Sequence, residues 1–403
     1  MIPSSKNFGS TPLFLLLIAL VALHGCVAIE DFFGSVGGSR NRPIVPLASR
    51  PVEEPIARNY FVLRSPEQSV IGTPQIVFTR QEDTFSDLAR EYGLGYDEIV
   101  AANPDVDPWL PGENTPVLLP TQYVLPDVPR KGIVLNIASM RLFYFPATAV
   151  GEPQPVMTYP IGIGRVGWET PLGVTTVIAK ATNPHWYVPL SVRRESAEMG
   201  HPLPAVVPPG PDNPLGTHVI KLEMPGYLIH GTNQPYGVGM RVSHGCVRLY
   251  PENIELLYSL ISLGEQVAII NEPYLLGRRD GEFYFESHKP LEDDPIAADA
   301  RLERLSARQL DGSKLNRNDS DHIRAIASMA QGVPVRVRQY DVDEVFARAR
   351  LVRNTVEPDP GAPTMSEVRD MIDEMLAEDE GSWGTTTMWS NRRARRNPGY
   401  QSK

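Results

Sequence analysis

The hydrophobic and polar positions divide the chain into stretches of different character. An apolar run, Leu13 to Leu23, follows Lys6. It is too short to span a bilayer comfortably and has the length of the apolar core of an export signal. Residues 27–57 mix Gly, Ser, Pro and charge without a sustained period, the pattern of a tether. A small unit follows at 58–125. Its pattern predicts a strand around Ile76 to Thr79, then a helix with Thr84 as N-cap and Gly93 at its end, with Phe85, Leu88, Ala89 and Tyr92 on one face. A second helix carries Tyr96, Ile99 and Val100 and stops at Asn103-Pro104, and "TPVLLP" supplies a returning strand.

Residues 131–272 read as the largest β-rich unit. "GIVLNIASMRLFYFP" predicts a hairpin, and "VMTYPIG", "GVTTVIAK", "THVIKLEM", "YLIHG" and "QVAII" predict further strands. One helix is expected in "YPENIELLYSLISLG", where Ile254, Leu257, Tyr258 and Ile261 recur at helical spacing and Gly264 can end it. Beyond this, 273–403 is an extension, charge-rich from residue 292, with helical patterns at "DPIAADARLERLSARQL" and "TMSEVRDMIDEMLAEDEG". In the second, Thr364 and Glu367 can form a capping box, and Val368, Met371, Ile372, Met375 and Leu376 make an apolar stripe suited to packing. The arginines at 392, 393, 395 and 396 belong to a basic tail expected to be disordered. The expected fold class is α+β, with most strands in one domain.

Composition adds exclusions. The formal charge of −10 and pI near 5.4 give no overall attraction to nucleic acid, which is not expected as a partner. The 39 prolines and 32 glycines, concentrated before residue 290, favour strands and structured loops over long helices there. The chain has 2 cysteines. The first, Cys26, ends the apolar leader in "LHGC", which resembles a bacterial lipobox, so 1–26 is expected to be a lipoprotein-type signal peptide with Cys26 as the acylated residue. Cys246 is then the lone thiol of an exported chain. An unpaired thiol in an oxidising compartment points to chemistry, against the alternative of a buried Cys serving as a small hydrophobe.

Cys246 follows His230 by 16 residues and His244 by 2. A neighbouring imidazole can take a thiol's proton and leave a nucleophile for carbonyl carbon. The Gly-rich stretch "GTNQPYGVGMRVS" is flexible enough to bring His230 to the thiol, and the N–H groups of Gly245 and Cys246, at the entry to a helix-bearing segment, are candidates to hold a developing oxyanion. A zinc ion held by His230, His244 and Cys246 is the competing chemistry, although no fourth ligand is evident. Trp186, Tyr236 and Met240 can wall a pocket, but aromatic core is the expectation for such residues.

"HGTN" followed by "SHGCVRL" resembles the active-site signature of the L,D-transpeptidase (YkuD-type) family, with supporting matches in "YPIGIGRVGWETPLGVTTVIAKATNPHWYVP" and "LPAVVPPGPDNPLGTHVIKL". The β-α-α-β unit with "DTFSDLAREYGLGYDEIVAANP" resembles a LysM domain, a module of glycan-binding proteins, with Gln81-Glu82 replacing the Gly-Pro pair that often opens its first loop. The similarity runs from about residue 58 to 292 and lies nearest the branch that attaches the Braun lipoprotein to peptidoglycan. The resemblance implies Cys246 as nucleophile and His230 as its base, oriented by the carbonyl of Gly231. It implies that His244 and Gly245 line the site, that Arg248 meets a substrate carboxylate, and that Ser243 binds substrate or hydrogen-bonds within the loop. The implied reaction is acyl transfer from a peptidoglycan tetrapeptide through a thioester at meso-diaminopimelate, with no metal and no cofactor. The implied acceptor is a Lys of an envelope lipoprotein. The alternatives are a second peptide stem, giving 3-3 crosslinks, and a non-catalytic peptidoglycan-binding lipoprotein. The expected location is the periplasm, with anchorage to the outer membrane through Cys26.

Overall fold

The computed structural model describes residues 46–56, 59–149, 151–292, 294, 296–310, 316–339 and 342–357. The leader with Cys26, the 364–381 helical pattern and the basic tail lie outside the described residues. In the β-α-α-β unit, Thr84 caps helix α1 (Phe85–Glu91) in a capping box with Asp87, and Gly93 follows its end at φ +65°, in the left-handed region a glycine adopts freely. Phe85, Leu88, Ala89 and Tyr92 are fully buried, as the helical spacing predicts. Helix α2 (Tyr96–Ala102) ends at Asn103, and Gln75–Phe78 pairs antiparallel with Pro116–Leu119.

A nine-stranded sheet forms the centre of the molecule. Its order is Tyr60–Val62, Pro155–Pro160, Arg141–Phe145, Gly132–Asn136, Gln266–Ile270, Gly173–Thr182, His218–Leu222, Leu228–His230, Val247–Arg248. Alternation along the strands sends successive side chains to opposite faces. Ile133, Leu135, Leu142 and Tyr144 join one core with Ile254 and Leu257 of the helix over Pro251–Leu260. Val134, Phe143 and Phe145 join another with Phe85, Leu88 and Ile99. Helices α1 and α2 therefore complete the hydrophobic core of a sheet whose strands, apart from Tyr60–Val62, lie outside their own unit, which no local pattern announces.

Three elements differ from expectation. Helix α3 (Leu190–Glu198) interrupts what reads as loop, its few apolar residues giving no clear stripe. The next helix, α4 (Pro251–Leu260), ends before Gly264. Ile261 turns extended into the core, and the Lys180 ammonium donates to the Tyr258 and Ile261 carbonyls at 2.6 and 2.8 Å, completing the helix end from another strand. The C-terminal extension includes the expected helix α5 (Ala298–Leu310), further helices α6 (Arg317–Met329) and α7 (Val342–Arg348), and two added strands. Val335–Arg336 extends the hairpin Tyr274–Arg279/Glu282–Ser287, and Arg350–Val352 pairs in parallel with Gln75–Phe78. Among the described residues no helix is long and apolar enough to cross a membrane.

Candidate active site

Strands Leu228–His230 and Val247–Arg248 run parallel, with Ile229 opposite Val247 and His230 opposite Arg248. Cys246 immediately precedes the second strand, so the register places it beside Leu228. With a period of two, His230, Cys246 and Arg248 share one face of the sheet edge. The thiol thus lies between two strands, because Arg241–Ser243 comes before it and Val247–Arg248 separates it from α4. The expected position at a helix entry is corrected accordingly.

Glycine and serine set the loop's shape. Gly245 has φ +98°, and an added Cβ would lie 3.0 Å from the Tyr227 ring. The Ser243 hydroxyl, buried in the loop, donates to the Cys246 carbonyl at 2.6 Å and accepts from the Gly245 N–H at 3.2 Å. Both hydrogen bonds are internal, so the geometry makes Ser243 a staple of the loop. The second engages the Gly245 N–H, one of the two N–H groups expected at the oxyanion. Thr170 fastens the same loop from outside, donating to the Gly245 carbonyl at 2.9 Å while accepting from the Gly164 N–H at 3.1 Å.

His230 is buried, and its Nδ1 lies 2.6 Å from the Gly231 carbonyl. A carbonyl only accepts, so Nδ1 carries the proton and Nε2 of the neutral ring keeps its lone pair. Gly231 has little room for a side chain: a Cβ there would approach Ile254 Cγ2 to 3.1 Å. Burial first, and the Arg248 guanidinium second, hold the His230 pKa down at about 3, against the Gly231 and Leu215 carbonyls, which favour the proton. Burial likewise raises the Cys246 thiol, opposed by the Leu228 N–H and by Arg248. The resting pair is therefore neutral thiol and neutral imidazole.

Arg248 has no carboxylate partner among the described residues, and its Nε is buried without a hydrogen bond. A side chain in this state is suited to an incoming anion. His244 takes another direction. Its Nε2 is 2.7 Å from Glu195 on α3, Glu195 also pairs with Arg165, and the Trp168 ring meets the imidazole edge-on at 4.9 Å. Arg165 and Glu195 were not evident in the sequence, since their partners lie far away along the chain. Trp186 and Met240 are half-buried and Tyr236 is exposed, so none is aromatic or apolar core as expected. Among the described residues no three His, Cys, Asp or Glu side chains gather to hold a metal.

Residues 130–269 match the model of the L,D-transpeptidase catalytic domain. Probable L,D-transpeptidase YcfS of Escherichia coli (strain K12) is 40% identical over 264 residues, which cover 63% of this chain and 80% of that protein. The chain belongs to the L,D-transpeptidase family. Probable L,D-transpeptidase ErfK/SrfK of Salmonella typhimurium is 42% identical over 231 residues, covering 56% of this transpeptidase and 73% of the relative. Probable L,D-transpeptidase YbiS of Escherichia coli (strain K12) is 40% identical over 226 residues, covering 55% and 72%. The matched catalytic domain contains every residue of the candidate site.

Proposed function

We propose that this transpeptidase uses Cys246 to cleave a peptidoglycan tetrapeptide after meso-diaminopimelate. The observation that supports this most is the shared face of His230, Cys246 and Arg248 across two paired strands. Nε2 of His230 takes the thiol proton as Sγ bonds to the diaminopimelate carbonyl carbon. The C–N bond to D-Ala then breaks, and the same imidazolium returns its proton to the departing amine. An acceptor amine attacks the thioester, gives a proton to His230, and leaves an amide and a restored thiol. The Arg248 guanidinium receives a substrate carboxylate, and the Cys246 N–H faces the developing oxyanion.

The β-α-α-β unit is read as LysM-like, which favours a wall-bound donor and the lipoprotein-anchoring branch, with a Lys ε-amine as acceptor. At its reference pKa of about 10.4, only roughly one lysine in 10³ is neutral at pH 7, so the acceptor must be held beside the thioester. Purified protein supplied with disaccharide tetrapeptide and equal concentrations of a lysine-ended lipoprotein peptide and a second tetrapeptide is expected to form mainly the lysine-linked product. Predominance of diaminopimelate-to-diaminopimelate dimers would assign it to 3-3 crosslinking. Lack of any product from the native protein, with intact wall binding, would favour the non-catalytic reading.

Cys26 is proposed to carry a lipid that holds the enzyme at the outer membrane, facing the periplasm. The support is the apolar leader ending in "LHGC". Cells fed a labelled fatty acid should yield labelled, membrane-bound native protein and unlabelled Cys26→Ser protein. Unlabelled, soluble native protein would contradict the anchor.

A further inference from the structure

The elbow between α1 and α2, with the end of α1, touches the segments that flank the catalytic strands on both sides of Cys246. On one side, the first two N–H groups of α2, from Tyr96 and Asp97, donate to the Val238 and Gly239 carbonyls at 3.2 Å each. These lie in the turn that joins His230 to Cys246. Two glycines meet there: a Cβ on Gly239, whose φ is +83°, would stand 2.2 Å from the Gly95 Cα and 2.4 Å from the Tyr96 N. On the other side, the hydroxyl of buried Tyr250 donates to the Leu94 carbonyl at 3.1 Å, and Arg90 grips Glu252 through two nitrogens at 3.0 and 3.1 Å. The elbow itself is braced against the sheet. Glu98 accepts from the Gly95 N–H at 2.9 Å and pairs at 2.6 Å with Arg141, which is almost wholly buried and also donates to the Gly93 carbonyl.

The geometry points to a positioning role for this elbow: Gly95, Gly239 and Tyr250 fix the strand-and-loop segment that aims Cys246 at His230. The LysM-like unit is in this respect part of the catalytic centre as well as a candidate wall-binding module. This inference rests on the thioester reading for its kinetic consequence, but its structural consequence is independent. The path from the turn to the thiol is short and stiff. The Met240 carbonyl accepts from the Ile163 N–H at 3.0 Å, the Ser243 carbonyl accepts from the Arg165 N–H at 3.1 Å, and the Ser243 hydroxyl staples Cys246. A side chain at Gly239 must push one backbone from the other, and a misplacement of about 1 Å at a reacting pair can cost about 10²-fold in rate.

The test uses the full chain with Gly239→Ala, Tyr250→Phe and, as a control for glycine strain alone, Gly281→Ala, which has φ +84° and open space around it in a distant hairpin. Thioester formation with disaccharide tetrapeptide and amide hydrogen exchange across residues 240–248 are both measured. Gly239→Ala is expected to lower kcat about 10²-fold with KM changed less than about threefold, and to speed exchange in that segment at least about tenfold. Tyr250→Phe, which keeps the ring and loses only the hydroxyl, should lower kcat about three- to tenfold. Gly281→Ala should match the native protein in both readouts. Native exchange and native kcat in Gly239→Ala, or losses equal to those of Gly281→Ala, would overturn the inference. If Gly239→Ala does not fold, native kcat in Tyr250→Phe overturns it. A native protein that forms no thioester would refute the chemical reading, while the exchange measurement would still decide the role of the elbow.

Discussion

Cys246→Ala is expected to reduce thioester formation and acyl transfer to background while leaving the protein folded. The substitution removes the only atom proposed to bond to the substrate carbonyl, and no remaining side chain on that sheet face can replace a thiolate. The structural cost is small. The thiol's polar contacts are a long approach to the Gly226 carbonyl at 3.7 Å and the Leu228 N–H, whereas the loop is held by Ser243, Thr170 and the conformation of Gly245. Loss of one sulfur atom at this position should shift unfolding by no more than about 1 kcal/mol. Chemical denaturation and a D-Ala release assay separate the two effects. Turnover by the variant at the native rate would remove Cys246 from the mechanism.

His230→Ala is expected to slow thioester formation by about 10²- to 10⁴-fold, the usual contribution of a positioned general base. The pH dependence distinguishes this base from an exposed histidine. Because burial and Arg248 hold its pKa at about 3, the acid limb of kcat/KM for thioester formation should fall far below the ordinary histidine value of about 6.5. Thioester formation is the step to follow, since the acceptor amine brings a titration of its own to the second step. An acid limb near 6.5 would contradict the buried neutral imidazole. The same shift affects stability. The unfolded chain binds a proton at His230 below about 6.5 and the folded chain only near 3, so the contribution is complete above 6.5 and is lost as the pH falls toward 3. At pH 5 the loss is about 2 kcal/mol, and His230→Asn should remove that part of the acid slope.

Local signals in the sequence were sufficient for the longer strands of the catalytic domain and for α1 and α2, but not for the short strands Arg241–Ser243 and Val247–Arg248 that flank Cys246. The continuous apolar run Ile133-Val134-Leu135 marks Gly132–Asn136, a strand buried on both faces, and the capping Thr84 with the spacing of Phe85, Leu88 and Tyr92 marks α1. The nearness of a lone thiol, Cys246, to His230 and His244 along the chain suggested nucleophilic chemistry, while the shared sheet face of His230 and Cys246 comes from the strand register. Relations between distant residues were not legible. Glu195 reaches His244 from a helix with no clear apolar face, and Arg350–Val352 finds its partner strand at the other end of the chain. The hydrogen bond from the Gly245 N–H to Ser243 was hidden for a related reason: composition shows that Gly245 is a glycine, but only geometry shows what its N–H meets. The shared core of α1, α2 and the catalytic sheet was equally hidden, since each amphipathic face reads the same whichever surface it covers.

The most direct measurement of the central claim is the intact mass of the native protein after incubation with disaccharide tetrapeptide in the absence of an acceptor, followed by peptide mapping. The account predicts one adduct equal to the donor less D-Ala, located on the peptide containing Cys246 and released by hydroxylamine, as a thioester is. Absence of an adduct while D-Ala is released, or an adduct on any residue other than Cys246, would contradict it.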